Sequence, residues 1–378
     1  MKLFKLQDRL MAMANRRKRR PGRPQGVLLV SGGGIGDTVL LAYVISSFAK
    51  LATDNEPVTL LLNGAAGKMA FLCPDNINVR SIDFQRLRKD LKFRRQVMGE
   101  LFESNYRKVI HLDHLRHPDM DEALVFACDA HETIAMEPRP WAKYDTALQA
   151  NRDRYDRLFD SGPARFDKVQ RWQAFAGWLR GAALPDAPLA LAEDLLPPPA
   201  GESAPLVVIQ PYSAVKQKQC TPGLIRAIIA ALPEDHVVAV AGAPSDRDLS
   251  PEYEHLFDDD RVSFEGASFQ ALTPRLRAAR LVVSVDTACM HLAVAAGAPT
   301  LCLASAAYVG EIVPYAPELT PPNAHFIYQP MECEGCLGVC HKAPVDGMFP
   351  CVAALDENAI IDKVTALLQS PSSSSIGH

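Results

Sequence analysis

Runs of four to six apolar residues recur along the chain, each followed by a longer stretch in which apolar residues return every three or four positions. That alternation of strand and helix periods is the signature of parallel βαβ units. In the first half it predicts strands over 27–31, 58–62, 79–82 and 108–112. A single helix after the first strand would carry Leu40, Leu41, Val44, Ile45, Phe48 and Leu51 on one apolar face. Residues 115–195 are less regular, offering a polar helix near 146–159 and a tryptophan-containing helix over 168–180. The rhythm then restarts, with strands over 206–210, 237–241, 281–285 and 299–303 and helices over 222–231, 269–279 and 290–296.

Between the halves lies LLPPPAGESAP, residues 195–205, whose prolines can continue neither a helix nor a central strand. The expected fold class is therefore α/β, with two doubly wound, Rossmann-like domains over 26–195 and 205–355. A terminal helix over 356–369 and a flexible tail over 370–378 complete the expected order. Two such lobes would place a ligand in the cleft between their carboxyl strand edges.

Composition adds little to this picture, but the distribution of charge does. Residues 1–25 form a basic arm: up to Pro24, nine Lys and Arg stand against Asp8 alone, a local +8 that leaves −12 for the rest of a chain of net −4. Its apolar residues Leu3, Leu6, Leu10 and Met13, with Phe4 and Met11 beside them, fall at helical spacing. A basic amphipathic helix suits an anionic membrane surface, and a solvated leader is the alternative. Nucleic acid is disfavoured, because no aromatic platform is interleaved with the charge and the body is acidic. No run of about 18 apolar residues and no secretory pattern appears, so the expected location is cytoplasmic, with peripheral contact to the inner membrane through the arm.

Three segments carry candidate chemistry. The first strand runs into Gly32-Gly33-Gly34-Ile35-Gly36-Asp37. A dinucleotide fingerprint fails here, since Asp37 stands where a third glycine should and no acidic residue follows Leu62. What remains is a tight turn that lets a second molecule approach the backbone, with Asp37 either capping the next helix or acting as a general base. The second segment, Val285-Asp286-Thr287-Ala288-Cys289-Met290-His291, joins a buried strand to a helix N-terminus suited to a phosphate. In the third, Ser213, Lys216 and Lys218 follow the strand ending at Gln210 and could set cations beside a diphosphate.

In this order and spacing the segments resemble glycosyltransferase family 9, the ADP-heptose:lipopolysaccharide heptosyltransferases. Gly34-Ile35-Gly36-Asp37 matches the family's glycine-turn aspartate. Lys218-Gln219-Cys220-Thr221-Pro222 looks like its K-x-W-P loop, and Ala241-Gly242-Ala243-Pro244-Ser245-Asp246 like its strand-glycine-aspartate segment. Asp286-Thr287-Ala288-Cys289-Met290-His291-Leu292-Ala293 matches D-T-G-x-x-H-x-A.

The resemblance implies a GT-B fold and an inverting, metal-independent transfer of heptose or a related sugar from a nucleotide-sugar donor. The acceptor would be lipopolysaccharide or another cell-envelope glycan. By carry-over Asp37 is the general base, Lys218 offsets the departing diphosphate, and Asp286, Thr287, Ala288 and His291 hold the nucleotide part of the donor, with Ser213, Lys216, Gly242 and Cys289 as further donor-binding candidates. Gly34, Gly36 and His114 would face the acceptor; for His114 and its neighbours His111 and His117, plain packing is the alternative. The chain departs from the pattern at Ala288 for glycine, at Cys220 for tryptophan, and at Ala304-Ser305-Ala306-Ala307-Tyr308, which lacks G-P-T. Those departures leave room for a catalytically inactive nucleotide-sugar-binding protein.

Cys333, Cys336, Cys340 and Cys351, in the loop 333–351, supply four soft ligands at C-x2-C-x3-C-x10-C spacing. That suffices for a structural zinc or iron, with no open position for catalysis, and free thiols are the alternative. Family members that glycosylate autotransporters carry a similar iron-holding cluster, so transfer to a protein is the second enzymatic reading.

Overall fold

A computed structural model describes residues 3–20, 22–53 and 55–370. The 371–378 part of the expected flexible tail lies outside the described residues. The chain forms two compact units, one of residues 1–164 and 169–185, the other of 165–168 and 186–378. The division follows Pro185, ahead of the proline-rich stretch 195–205. That stretch is tied to the second unit by Ala200 N–H to the Pro274 carbonyl (2.9 Å) and by Arg277 to the Pro197 carbonyl (2.6 Å).

The first unit is built on six parallel strands: β1 (Val27–Ser31), β2 (Val58–Asn63), β3 (Ile77–Ile82), β4 (Lys108–His111), β5 (Glu132–Met136) and β6 (Arg157–Phe159). Their order is β3-β2-β1-β4-β5-β6. The second unit repeats the plan with β7 (Leu206–Gln210), β8 (Val237–Ala241), β9 (Val262–Glu265), β10 (Leu281–Val285), β11 (Thr300–Leu303) and β12 (Ala324–Ile327). Its order, β12-β11-β10-β7-β8-β9, is the same doubly wound arrangement. The inner strands β1, β7 and β10 are buried at every position because helices cover both faces of a parallel sheet. In register, Leu29 lies between Leu60 and Ile110, and Val208 between Ala239 and Val282. Each such side chain contributes roughly 1.5–3 kcal/mol on burial.

Two expected helices are corrected. The helix after β1 is two, Ile35–Ala42 and Ile45–Ala49, because Tyr43 and Val44 N–H turn back to Leu40 and Leu41 in tighter i to i−3 bonds. Val44, Ile45 and Phe48 stay in the core across this step. The polar helix near 146–159 ends at Asn151, and its last residues form the edge strand β6. Asp156 draws the chain there by accepting from the Thr133 N–H (2.7 Å) and hydroxyl (2.9 Å).

The basic arm is a docked helix, Leu3–Asn15, rather than a solvated leader. Phe4 is buried beneath the guanidinium of Arg94, 4.7 Å from its ring. Asp8 pairs with that fully buried arginine at 2.6 Å, and Lys5 pairs with Asp119 at 2.6 Å. Beyond the helix Arg20 donates to the Cys128 and Asp129 carbonyls and lies over Phe102.

Candidate active sites

In a doubly wound sheet, ligands bind outside the carboxyl ends of the strands where the order reverses. In the first unit that point lies between β1 and β4. Ser31 and Gly32, leaving β1, donate from hydroxyl and N–H to the Asp113 carboxylate at 3.0 and 2.6 Å. The Asp113 N–H donates to His111 Nδ1 (3.2 Å), and His111 Nε2 lies 3.4 Å from Asp121 Oδ2. Asp121 Oδ1 accepts from the His117 and Glu122 N–H groups.

The glycines have a specific use in this arrangement. A Cβ on Gly32 would come within 2.8 Å of Asp121 Oδ2, and one on Gly33 within 2.8 Å of the Asp37 side chain. The space expected for a second molecule is therefore filled, at these two positions, by the protein's own carboxylates. Asp37 sits in the first turn of the helix Ile35–Ala42 and accepts from the Gly34 N–H at 2.7 Å, so it caps that helix. Gly34 is exposed, and Gly36 lies in the same helical turn as Asp37.

Beside this turn opens a cavity of about 450 Å³ lined by Gly32, Phe84, Arg88, His117, Asp121 and Trp141, among others. Its lining combines the aromatic rings of Phe84 and Trp141 with the cation of Arg88 and the carboxylate of Asp121. Behind it, Glu122 accepts from Arg116 (2.9 Å), Asn151 (2.7 Å) and Tyr155 (3.1 Å), fixing the loop that carries His117 and Asp121. His114 is packed elsewhere, its Nδ1 3.0 Å from the Glu137 carbonyl and 2.9 Å from Ser161 Oγ. Burial, helped by Arg171, pushes its pKa down to about 3 and keeps it neutral.

In the second unit the reversal lies between β7 and β10, and one residue spans it. Gln210 Oε1 accepts from Ser284 (3.0 Å) and from Thr287 (2.8 Å), the residue preceding the helix Ala288–Ala295. Lys218 is buried with its Nζ 2.8 Å from Asp286 Oδ1 and 4.8 Å from the centre of the Tyr308 ring. The other Asp286 oxygen accepts from Ser305 at 2.9 Å. Burial pushes the Asp286 carboxyl up, and Lys218 and Ser305 pull against it. His291 is buried, with Nδ1 2.7 Å from the Tyr315 hydroxyl and its ring stacked on that tyrosine. Cys289 is buried too, its thiol pushed up to about 12 by desolvation.

Asp286, Thr287, Ala288 and Lys218 thus converge at one strand edge. Lys216 turns away to the Leu249 carbonyl (2.5 Å) and Glu252 (3.4 Å), while Ser213 accepts from the Val215 N–H in its own loop. A Cβ on Gly242 would collide with the Tyr212 ring at 2.6 Å, so this glycine makes room for packing. Gln210, Ser284 and Ser305 fall in segments singled out from the sequence but were given no role there, and Tyr315, Asp113, Asp121, Arg88 and Trp141 were not read as site residues. Gln210 and Ser284 meet across 74 residues and Asp113 and Gly32 across 81, whereas Asp121 meets His117 only four residues away.

Of the four clustered cysteines, Cys351 is buried and the others half-buried. Burial raises the Cys351 thiol, with a smaller push from Cys333 and Cys336. Among the described residues no group of three or more His, Cys, Asp or Glu side chains is arranged to hold a metal. The loop is instead held by Gly335 and Leu337 N–H bonds to the Ala306 and Ala307 carbonyls.

These sheets define an α/β protein of two doubly wound units. Residues 189–336 match the model of glycosyltransferase family 9 (heptosyltransferase), which bears out the resemblance read from the motifs. The structure of a family 9 glycosyl transferase from Veillonella parvula is similar at 15% identity, covering 92% of this chain and 97% of that one, with a TM-score of 0.64. E. coli heptosyltransferase WaaC with ADP is similar at 19% identity over 90% of this chain and 99% of its own, TM-score 0.63. The iron-containing dodecameric glycosyltransferase TibC from enterotoxigenic E. coli is similar at 14% identity over 92% and 76%, TM-score 0.51. No curated protein sequence matches the chain. The fold is that of the GT-B heptosyltransferases, as expected.

Proposed function

We propose that the chain is an inverting, metal-independent glycosyltransferase that moves heptose or a related sugar from a nucleotide-sugar donor to lipopolysaccharide or another cell-envelope glycan. The observation that carries this reading is the convergence of Lys218, Asp286 and the helix that begins after Thr287 at the β7/β10 reversal, inside the matched residues 189–336. Helix N–H groups there suit a diphosphate, and Lys218 lies beside it with Asp286 holding the ammonium in place. Asp37 takes the proton from the acceptor hydroxyl. The acceptor oxygen then bonds to the anomeric carbon from the face opposite the diphosphate, whose bond to that carbon breaks and whose charge the helix and lysine offset.

ADP is the proposed nucleotide, supported by the similar structures that hold ADP and ADP-D-beta-D-heptose. The site of action is the cytoplasmic face of the inner membrane, touched by the basic arm. No described helix is long and apolar enough to cross a membrane. The spacing of the four cysteines supports a structural zinc or iron, but their side chains do not form a ligand group here, so no step is placed on a metal. Metal analysis of purified protein settles that site: no metal with four reactive thiols ends the proposal. The cysteine spacing, similar to that of the family members that glycosylate autotransporters, supports transfer to a protein as the second reading.

The test is release of nucleoside diphosphate when the protein meets ADP-heptose and a glycolipid acceptor. Release that depends on the acceptor is expected. No turnover with any nucleotide sugar, alongside tight nucleotide binding, would instead favour an inactive binding protein.

A further inference from the structure

The helix Leu3–Asn15 has two unlike faces. One is stapled to the first unit by Phe4, by the Asp8–Arg94 and Lys5–Asp119 pairs and by Gln7 donating to the Leu91 carbonyl at 2.8 Å. On another, Leu3, Leu6, Leu10 and Met13 stand 66, 40, 54 and 54% exposed, four of the ten large exposed apolar side chains among the described residues. At 100° per residue they share an arc of about 80°, centred about 130° round the axis from Phe4 and Met11. The other six are scattered singly over the loops and helices, which is ordinary for a protein surface. A concentrated stripe on one helix is not.

The surroundings of the stripe identify its partner. Arg9 and Arg16 flank it, and exposed Arg16, Arg17, Lys18, Arg19 and Arg23 continue from the helix end. A second copy of the chain would bring the same positive charge to the contact. A nucleic acid would satisfy the charge and leave the leucines in water. An anionic bilayer satisfies both, taking the apolar stripe at the acyl boundary and the arginines at the headgroups.

We infer that Leu3, Leu6, Leu10 and Met13 form a preformed docking face with which the first unit lies on an anionic membrane. The inference deepens the reading of a membrane-borne glycan acceptor and rests on it. Because the stapled face already holds the helix folded, seating the outer face needs no folding on arrival, unlike a free amphipathic peptide.

Flotation of the full chain with phosphatidylcholine vesicles, with and without about one-third phosphatidylglycerol, tests this. Binding only to the anionic vesicles, weakening as salt rises, is expected. Leu6→Glu with Leu10→Glu should weaken it by about tenfold or more. The melting temperature should stay unchanged, since both side chains face away from the unit. Transfer to a water-soluble acceptor fragment should also be unchanged, which separates this claim from the enzymatic one. Equal binding by the double variant, or no preference for anionic vesicles, would overturn the inference. So would a lipid-free dimer that the double variant splits, which would assign the stripe to a second copy.

Discussion

At the scale of single residues, one side chain often carries two tasks, and the proposals follow from separating them. Asp37 caps its helix and is also the proposed base, which is why the sequence alone leaves it between those roles. Lys218 and Asp286 neutralise each other in a buried pair. Lys218→Met removes one partner and should cost about 3 kcal/mol at neutral pH. The native Asp286 carboxyl, raised by burial, binds its proton in a range where the unfolded one does not, so its burial destabilises the fold as pH rises above the ordinary carboxylate range. Without Lys218 that loss grows, so chemical denaturation should show a larger deficit at pH 8 than at pH 4; an equal deficit would refute the pairing.

His114 has the opposite sign. Its native pKa of about 3 lies below the ordinary 6.5, so the unfolded chain takes up a proton first and stability falls as pH drops from 6.5 towards 3. His114→Gln should flatten denaturation profiles in that window, whereas a full acid slope in the variant would move the effect elsewhere.

At the scale of elements, legibility follows unbroken apolar runs. The inner strands β1, β7 and β10 were read with their full bounds, because apolar runs buried on both faces leave one interpretation. β5, β6, β9 and β12 were missed. Arg157–Phe159 and Val262–Glu265 are short edge or near-edge pieces with polar positions, and their pairing partners, not their composition, make them strands. The N-terminal helix was legible as amphipathic, but the sequence could not say which apolar face docks. Arg94 decides it, as a fully buried guanidinium that needs Asp8. Asp8→Ala should therefore cost up to about 3 kcal/mol and free the arm. Limited trypsin digestion should cut at Arg16 to Arg20 many times faster than in the parent; unchanged protection would show that Phe4, Lys5 and Gln7 hold the helix without Asp8.

At the scale of the whole molecule, the chain uses one plan twice. Each unit reverses its strand order once and gathers polar side chains there: Ser31, His111, Asp113 and Asp121 in the first, Gln210, Lys218, Asp286 and Thr287 in the second. The strand and helix rhythm of the sequence already pointed to the fold class, while the strand order and the partners fixing each motif came only from the folded chain. The central claim is that Asp37 removes the acceptor proton in a sugar transfer. The most direct measurement is steady-state transfer by Asp37→Ala beside its equilibrium affinity for ADP. The account predicts a kcat lowered by about 10²–10⁴-fold with ADP affinity unchanged and at most about 1–2 kcal/mol of lost stability from the missing cap. Transfer at the parent rate would contradict it.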